Sequence, residues 1–189
     1  MIILGINAFH GDSSACIVVD GKLFAAVEEE RFRRIKHWAG FPTKSIQYCL
    51  KEAKITLDQV DHISVNRNTN AALHKKIGFI LKNRPDIRLI LERIKSRSKA
   101  SSVSEIINSE GLPGVFTGDI HYVEHHLSHL ASAFLVSPFD EAVVLSVDGF
   151  GDFSSAAWGT GKGTEISVDG RVYFPHSLGI FYQAMTQYL

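Results

Sequence analysis

Cysteine is scarce in this sequence: two residues, Cys16 and Cys49, in a chain of 189. Two thiols cannot build the multi-bridge framework of a small secreted domain, and neither has a partner at metal-ligand spacing. Net charge is missing too. Twenty Lys and Arg balance twenty Asp and Glu, so no whole-chain field draws the protein to nucleic acid or to an anionic membrane. No apolar run approaches the ~18 residues that a membrane helix needs. The opening MIILGINAFHGD lacks the basic segment of a signal peptide. These absences leave the expectation of a reduced, soluble, cytoplasmic protein. Its length and hydrophobic share of 45% suffice for one sizeable domain, or one and a half small ones. The last residues, SLGIFYQAMTQYL, end within a helical pattern with no Gly and no polar tail. That reads as a piece of a longer protein.

What is present is α/β in pattern. MIILGI is a short β-rich apolar run, SSACIVVD a second strand and KLFAAVEE a third, with Asp20-Gly21 as the tight turn between the last two. After Pro42, residues 43–54 have helical periodicity, with Thr43 as the expected N-cap and Ile46, Leu50 and Ala53 on the buried face. DHISVNRN is another short strand. Residues 69–110 change character. Between Arg67 and Lys99 stand ten Lys or Arg against Asp86 and Glu92. This predicts a solvated, basic helical excursion broken near Pro85, rather than a surface for anions or nucleic acid. Without interleaved aromatics, nucleic acid is not an expected partner.

A helix is expected over about 124–136, with Val123, Leu127, Leu130 and Phe134 as its apolar stripe. It carries three histidines within VEHHLSHLASAF. His125 and His129 are four apart and so share a face, their Cβ atoms about 5–6 Å from each other. That spacing can hold one metal ion. The same spacing also suits two polar residues on a helix surface, since the pair stands roughly opposite the stripe and faces away from the core. EAVVLSV then reads as a buried strand, DGFGD as a turn and FSSAAWGT as a strand back.

The chain also repeats itself. INAFHGDSSA (6–15) aligns with VDGFGDFSSA (147–156): Phe, Ser, Ser and Ala coincide, Ile faces Val and Asn faces Asp. Each copy follows one strand and precedes another, which suggests a duplicated domain. Small residues in such turns let the backbone approach a ligand, and successive N–H groups form an anion-binding concavity. Two such turns can clasp the phosphates of a nucleotide, and Asp148 at a strand end can hold a metal against them.

Together, Gly-Ile-Asn with His-Gly-Asp-Ser-Ser-Ala, His-His-Leu-Ser-His-Leu-Ala-Ser-Ala-Phe, Val-Asp-Gly-Phe-Gly-Asp and Pro-His-Ser-Leu-Gly-Ile-Phe-Tyr resemble the N-terminal part of the O-carbamoyltransferases. That family includes nodulation-factor, cephamycin and tobramycin carbamoyltransferases. The resemblance implies an actin/hexokinase/Hsp70-like (ribonuclease H-like) α/β fold: a first lobe over 1–140 containing the basic excursion, and the truncated start of its duplicate over 141–189. It implies transfer of carbamoyl from carbamoyl-adenylate to a hydroxyl of a small-molecule acceptor. The adenylate comes from carbamoyl phosphate and ATP on a separate YrdC-like domain. It further implies His125, His129 and Asp148 as ligands of a divalent metal, iron first and zinc or manganese as alternatives. His10 is implied as the catalytic histidine, flanked by Asp12 and Ser13, with Gly149 and Gly151 in the second nucleotide-binding turn. His126 and His176 receive no role, and His37, His62 and His74 read as surface residues. The competing expectation is a nucleotide- or metal-binding module without turnover of its own, because this fold hosts many functions.

Overall fold

The computed structural model describes residues 1–83 and 103–189, and within them the chain forms two compact units. One comprises residues 1–66 and 103–122. The other comprises residues 67–83 and 123–189.

The first unit is a five-stranded sheet in the order β3-β2-β1-β4-β5. Its strands are β1 (Ile2–Asn7), β2 (Ser14–Val19), β3 (Lys22–Glu28), β4 (His62–Val65) and β5 (Asp119–Tyr122). β1 and β2 are antiparallel, as are β2 and β3, whereas β4 and β5 run parallel to β1. This is the α/β arrangement expected of an actin-like lobe. The pleat alternates, so Leu4, Ile6, Ala15, Ile17, Ile63 and Val65 all reach one core, where α2 (Thr43–Ala53) adds Ile46, Cys49 and Leu50. Short helices α1 (Glu30–Arg33) and α4 (Val103–Ser109) complete the unit. The turn at Asp20 and Gly21 has both residues at positive φ, 47° and 78°, as its sequence predicts.

Thr43 does not cap α2. It is the first helical residue, and the cap position falls to Pro42, which has no polar side chain to offer. A distant residue fills the gap. The fully buried Glu29 carboxylate accepts from the backbone N–H of Ser45 at 2.8 Å and of Lys44 at 3.3 Å, and from the Ser45 hydroxyl at 2.8 Å.

The second unit has the antiparallel sheet β6-β7-β8, formed by β6 (Glu141–Gly151), β7 (Ser154–Lys162) and β8 (Glu165–Tyr173). Helix α5 (His125–Phe134) packs on it through Leu130 and Phe134, which meet Val144 and Ala157. Helix α6 (Leu178–Tyr188) lies against β6. Helix α3 (Leu73–Asn83) seats Phe79 among the rings of Phe153 and Phe174, at centroid distances of 5.9 and 5.0 Å. The rest of the basic stretch, with the break expected near Pro85, lies outside the described residues.

Three expectations change here. EAVVLSV is buried on one face only: Val144 and Ser146 point into the unit, while Val143, Leu145 and Val147 are exposed. DGFGD is not the turn: β6 runs through it to Gly151, with an irregular register between Val147 and Gly151, and the turn is Asp152-Phe153. Nor does His125 face away from the core. It is buried, and so is His126, because both sides of α5's first turn meet the second unit rather than solvent. The repeat, by contrast, has a structural counterpart. Ile6 pairs with Ala15 across the first hairpin, and Val147 pairs with Ala156 across the second. Aligned residues thus occupy the same register in both copies.

Candidate metal centre

Helix α5 starts where it does because Glu124 holds an extended backbone and its carboxylate accepts from the N–H groups of His126 and Leu127. Arg171 of β8 binds the same carboxylate at 3.0 Å. Burial alone would raise the Glu124 carboxyl, but these donors hold it below the usual value. A second carboxylate fixes the helix from outside. Asp152 accepts from the N–H of His125 at 3.0 Å and of Asn68 at 2.7 Å.

On this pinned helix, His125 and His129 present their rings to Asp148 of β6. The His125 Nε2 lies 2.9 Å from Asp148 Oδ2 and 3.0 Å from His129 Nε2, and His129 Nε2 is 3.7 Å from the same carboxylate oxygen. One ligand atom from each residue falls within 4.8 Å of the other two, so the three could hold a metal ion. Ligands about 2.0–2.2 Å from a common ion stand roughly 3–3.5 Å apart, and the observed spacings fit that convergence. Protonation favours it as well. Burial, and then the neighbouring His125, push the His129 imidazole below the ordinary histidine value. Burial works the other way on Asp148, yet hydrogen bonds from His125 and from the N–H of Gly149 hold its carboxyl low. A neutral ring and an ionised carboxylate are the states a metal needs.

Glycine makes the geometry possible at two points. A Cβ on Gly151 would sit 2.0 Å from His125 Cδ2, inside the ring's own volume. A Cβ on Gly179 would sit 2.5 Å from the Asp148 carbonyl oxygen, so only glycine lets α6 approach β6 there. Ser177 completes this support. Its hydroxyl lies 3.1 Å from the Asp148 carbonyl and 2.8 Å from that of Gly149, and it accepts from the N–H of Ile180 to cap α6.

The sequence matches the family described as "Carbamoyltransferase N-terminus" over residues 2–189. The chain belongs to the carbamoyltransferase family. It is 34% identical to Nodulation protein NolNO of Sinorhizobium fredii, an alignment covering 97% of this chain and 26% of that protein. It is 38% identical to the protein sll1178 of Synechocystis sp., covering 98% of this chain and 31% of that protein. The chain therefore spans about a third or less of the length of these relatives. Among solved structures it is similar to YeaZ from Pseudomonas aeruginosa, with 14% identity, a TM-score of 0.48, and coverage of 93% of this chain and 68% of that one.

Of the site residues expected from this carbamoyltransferase sequence, the second unit brings His125, His129 and Asp148 together and sets Gly149 and Gly151 beside them. Gly149 directs its N–H to Asp148 Oδ1 at 2.6 Å, and Gly151 makes room for His125. His10, Asp12 and Ser13 belong to the first unit's turn. His10 is exposed. Asp12 Oδ1 lies 2.9 Å from His37 Nδ1. Ser13 is buried, with its N–H on the Trp38 carbonyl and its hydroxyl near the carbonyls of His10 and Gly40. Asn7 and Asp148 occupy the same repeat position and do different work. The Asn7 amide closes its own turn by donating to the carbonyls of Gly11 and Asp12, while the Asp148 carboxylate meets the histidines. His126, expected to do no more than hydrogen-bond nearby, has a fully buried ring with Nδ1 2.7 Å from Ser146 Oγ. Sequence reasoning missed Asp152 and Ser177. The Pro-His-Ser-Leu-Gly motif contained the signal for Ser177. Among the described residues no helix is long and apolar enough to cross a membrane.

Proposed function

We propose that this chain is the N-terminal part of an ATP-dependent O-carbamoyltransferase that moves a carbamoyl group from carbamoyl-adenylate to a hydroxyl of a small-molecule acceptor. The observation that carries the reading is the convergence of His125, His129 and Asp148, in a chain of the carbamoyltransferase family, beside a turn that repeats the one holding His10.

The acceptor oxygen attacks the carbamoyl carbon, the bond from that carbon to the phosphate oxygen of the adenylate breaks, and AMP leaves. The acceptor's proton needs a base. We assign that role to His10, which the family resemblance implies as the catalytic histidine and which stands exposed in the first unit's turn. Asp12 orients the turn from beside it, through its contact with His37. Ser13 holds the loop closed by its bonds to Trp38 and Gly40. Gly149, near the end of β6 and ahead of the second turn, leaves the backbone there without a side chain where phosphate oxygens would approach, and Gly151 makes room for His125. His125, His129 and Asp148 would hold the metal, with Fe2+ preferred and Zn2+ or Mn2+ also suited to two imidazoles and a carboxylate. When bound, that ion supplies Lewis-acid stabilisation of negative charge on the carbamoyl or phosphate oxygens.

Formation of carbamoyl-adenylate from carbamoyl phosphate and ATP is assigned to a YrdC-like domain elsewhere in a longer protein. Turnover by residues 1–189 alone is not expected. Relatives about three times as long support this, as does the row of exposed apolar side chains on β6: Val143, Leu145 and Val147. The test is metal content and carbamoyl transfer in the protein purified without chelator, beside His125→Ala/His129→Ala. Stoichiometric metal and transfer in the parent, with both lost in the variant, support the proposal. A parent that transfers carbamoyl equally well without metal would sink the metal role.

A further inference from the structure

The first unit gathers three side chains that none of the roles above uses. His62 on β4 and His121 on β5 lie on neighbouring parallel strands, in a register that sets His62 opposite Asp119 and His121 opposite Ser64. Residues two apart on a strand share a face, so His62, Asp119 and His121 all stand on one side of the sheet. It is the side away from the core that Ile63, Val65 and Ile120 join. Histidines on an outer face have water to extend into. These two turn toward each other instead.

His62 Nδ1 lies 3.2 Å from His121 Nε2, with ring centroids 5.0 Å apart and planes inclined by 61°. Asp119 Oδ2 lies 3.9 Å from the same Nδ1. Ligand atoms about 2.0–2.2 Å from a common ion stand roughly 3–3.5 Å apart, so the two nitrogens already have the spacing of a shared ion. The carboxylate is 81% accessible and has room to swing closer. The same spacings recur in the centre of the second unit, where the two Nε2 atoms are 3.0 Å apart and the carboxylate is 3.7 Å from the farther ring. A hydrogen bond between two neutral rings would also bring the nitrogens together, but it leaves the Asp119 charge unmet. Among the described residues that carboxylate pairs with no Lys or Arg. A divalent cation takes both ring lone pairs and offsets the carboxylate at once. Two imidazoles with one carboxylate and water suit zinc, nickel or copper, and strands hold such a set more precisely than loops do.

We infer that His62 and His121, with Asp119, bind a divalent transition-metal ion of the zinc, nickel or copper class on the outer face of β4 and β5. The ion clamps β5, the edge strand of this sheet, to its neighbour. The site shares no residue with His125, His129 and Asp148, and it does not depend on the transfer reaction. His62, a mere surface histidine by its sequence, becomes a ligand because the sheet register sets His121 beside it.

Zn2+ titrated calorimetrically into full-length His125→Ala/His129→Ala, which lacks the ligands of the second unit, tests this. The expected result is one equivalent of Zn2+ bound, lost when His62→Ala/His121→Ala is added. His121→Ala alone, at an exposed position on the edge strand, should weaken binding by about tenfold or more, and it decides the matter if the fourfold variant fails to fold by circular dichroism. A His125→Ala/His129→Ala protein that takes up no Zn2+ overturns the inference. So does uptake that His121→Ala and the fourfold variant leave intact, which would put the ion on other histidines.

Discussion

The Nε2 atoms of His125 and His129 lie 3.0 Å apart, one turn from each other on α5, with Asp148 Oδ2 2.9 Å from the first of them. Two imidazole nitrogens that close cannot both be protonated without repulsion, and burial already disfavours a charged His129. A bound divalent cation relieves the contact. The expected outcome is that adding Fe2+, Zn2+ or Mn2+ raises the melting temperature of the parent and not of His125→Ala/His129→Ala. Asp148→Asn should weaken metal binding while leaving both rings in place. Thermal melting across a metal titration reads both.

Gly151→Ala is the sharper probe of the same centre. Its Cβ would lie 2.0 to 2.5 Å from three atoms of the His125 ring, so the ring must leave its position. Metal affinity should fall by roughly 10–100-fold, the range seen when the support of a ligand is removed. Nothing else about the unit needs to change, because the substitution adds one methyl group. Metal-competition titration against a chromogenic chelator gives the affinity. Circular dichroism should show the same secondary structure as in the parent.

Much of this centre was legible in the sequence, and the reasons are local. The i, i+4 spacing of His125 and His129 fixes a shared helix face whatever surrounds the helix, and Asp148 stands in a repeat whose register the two hairpins share. The β1–β2–β3 meander follows from its alternation and from Asp20-Gly21. Burial was not legible. The apolar stripe of α5 suggests one buried face, but His126 goes deeper than Leu127, because Ser146 on β6 meets its ring. That contact spans twenty residues, and no periodicity encodes it. The cap of α2 was misread for the same reason: Glu29 reaches it from fourteen residues upstream of Thr43, where a local reading looks only at the flanking positions. β6 continued through DGFGD because an irregular register absorbs the extra residues, a device that a Gly-rich string does not distinguish from a turn.

The cysteines should be inert. Cys49 is fully buried between Ala15 and Ala25, and burial, helped by nearby Cys16, pushes its thiol up to about 12. Burial raises Cys16 as well. Only the thiolate reacts, so Ellman's reagent near neutral pH should modify neither at an appreciable rate in the folded protein. Both should react promptly in denaturant. Fast labelling of Cys49 without denaturant would mean that the first core opens locally far more often than its packing suggests.

Glu29 sets how the first unit responds to acid. Its side chain is buried, which by itself would raise the carboxyl, yet bonds from Ser45, Arg33 and Lys44 hold it below the ordinary value. A carboxyl lowered by folding binds fewer protons in the native state than in the unfolded one. Its stabilisation is therefore complete above the unfolded value, about 4.3, and fades as pH falls through the lower native value. Glu29→Gln keeps the shape but loses the charge that faces the α2 N-terminus and the Arg33 guanidinium, 2.8 Å away. It should cost about 1–3 kcal/mol at neutral pH. It should also flatten the acid limb of stability against pH, so that parent and variant converge as the pH drops below 4. Urea unfolding at a series of pH values measures both effects. A difference that stays constant down to acid pH would show that Glu29 acts through packing and not through its charge.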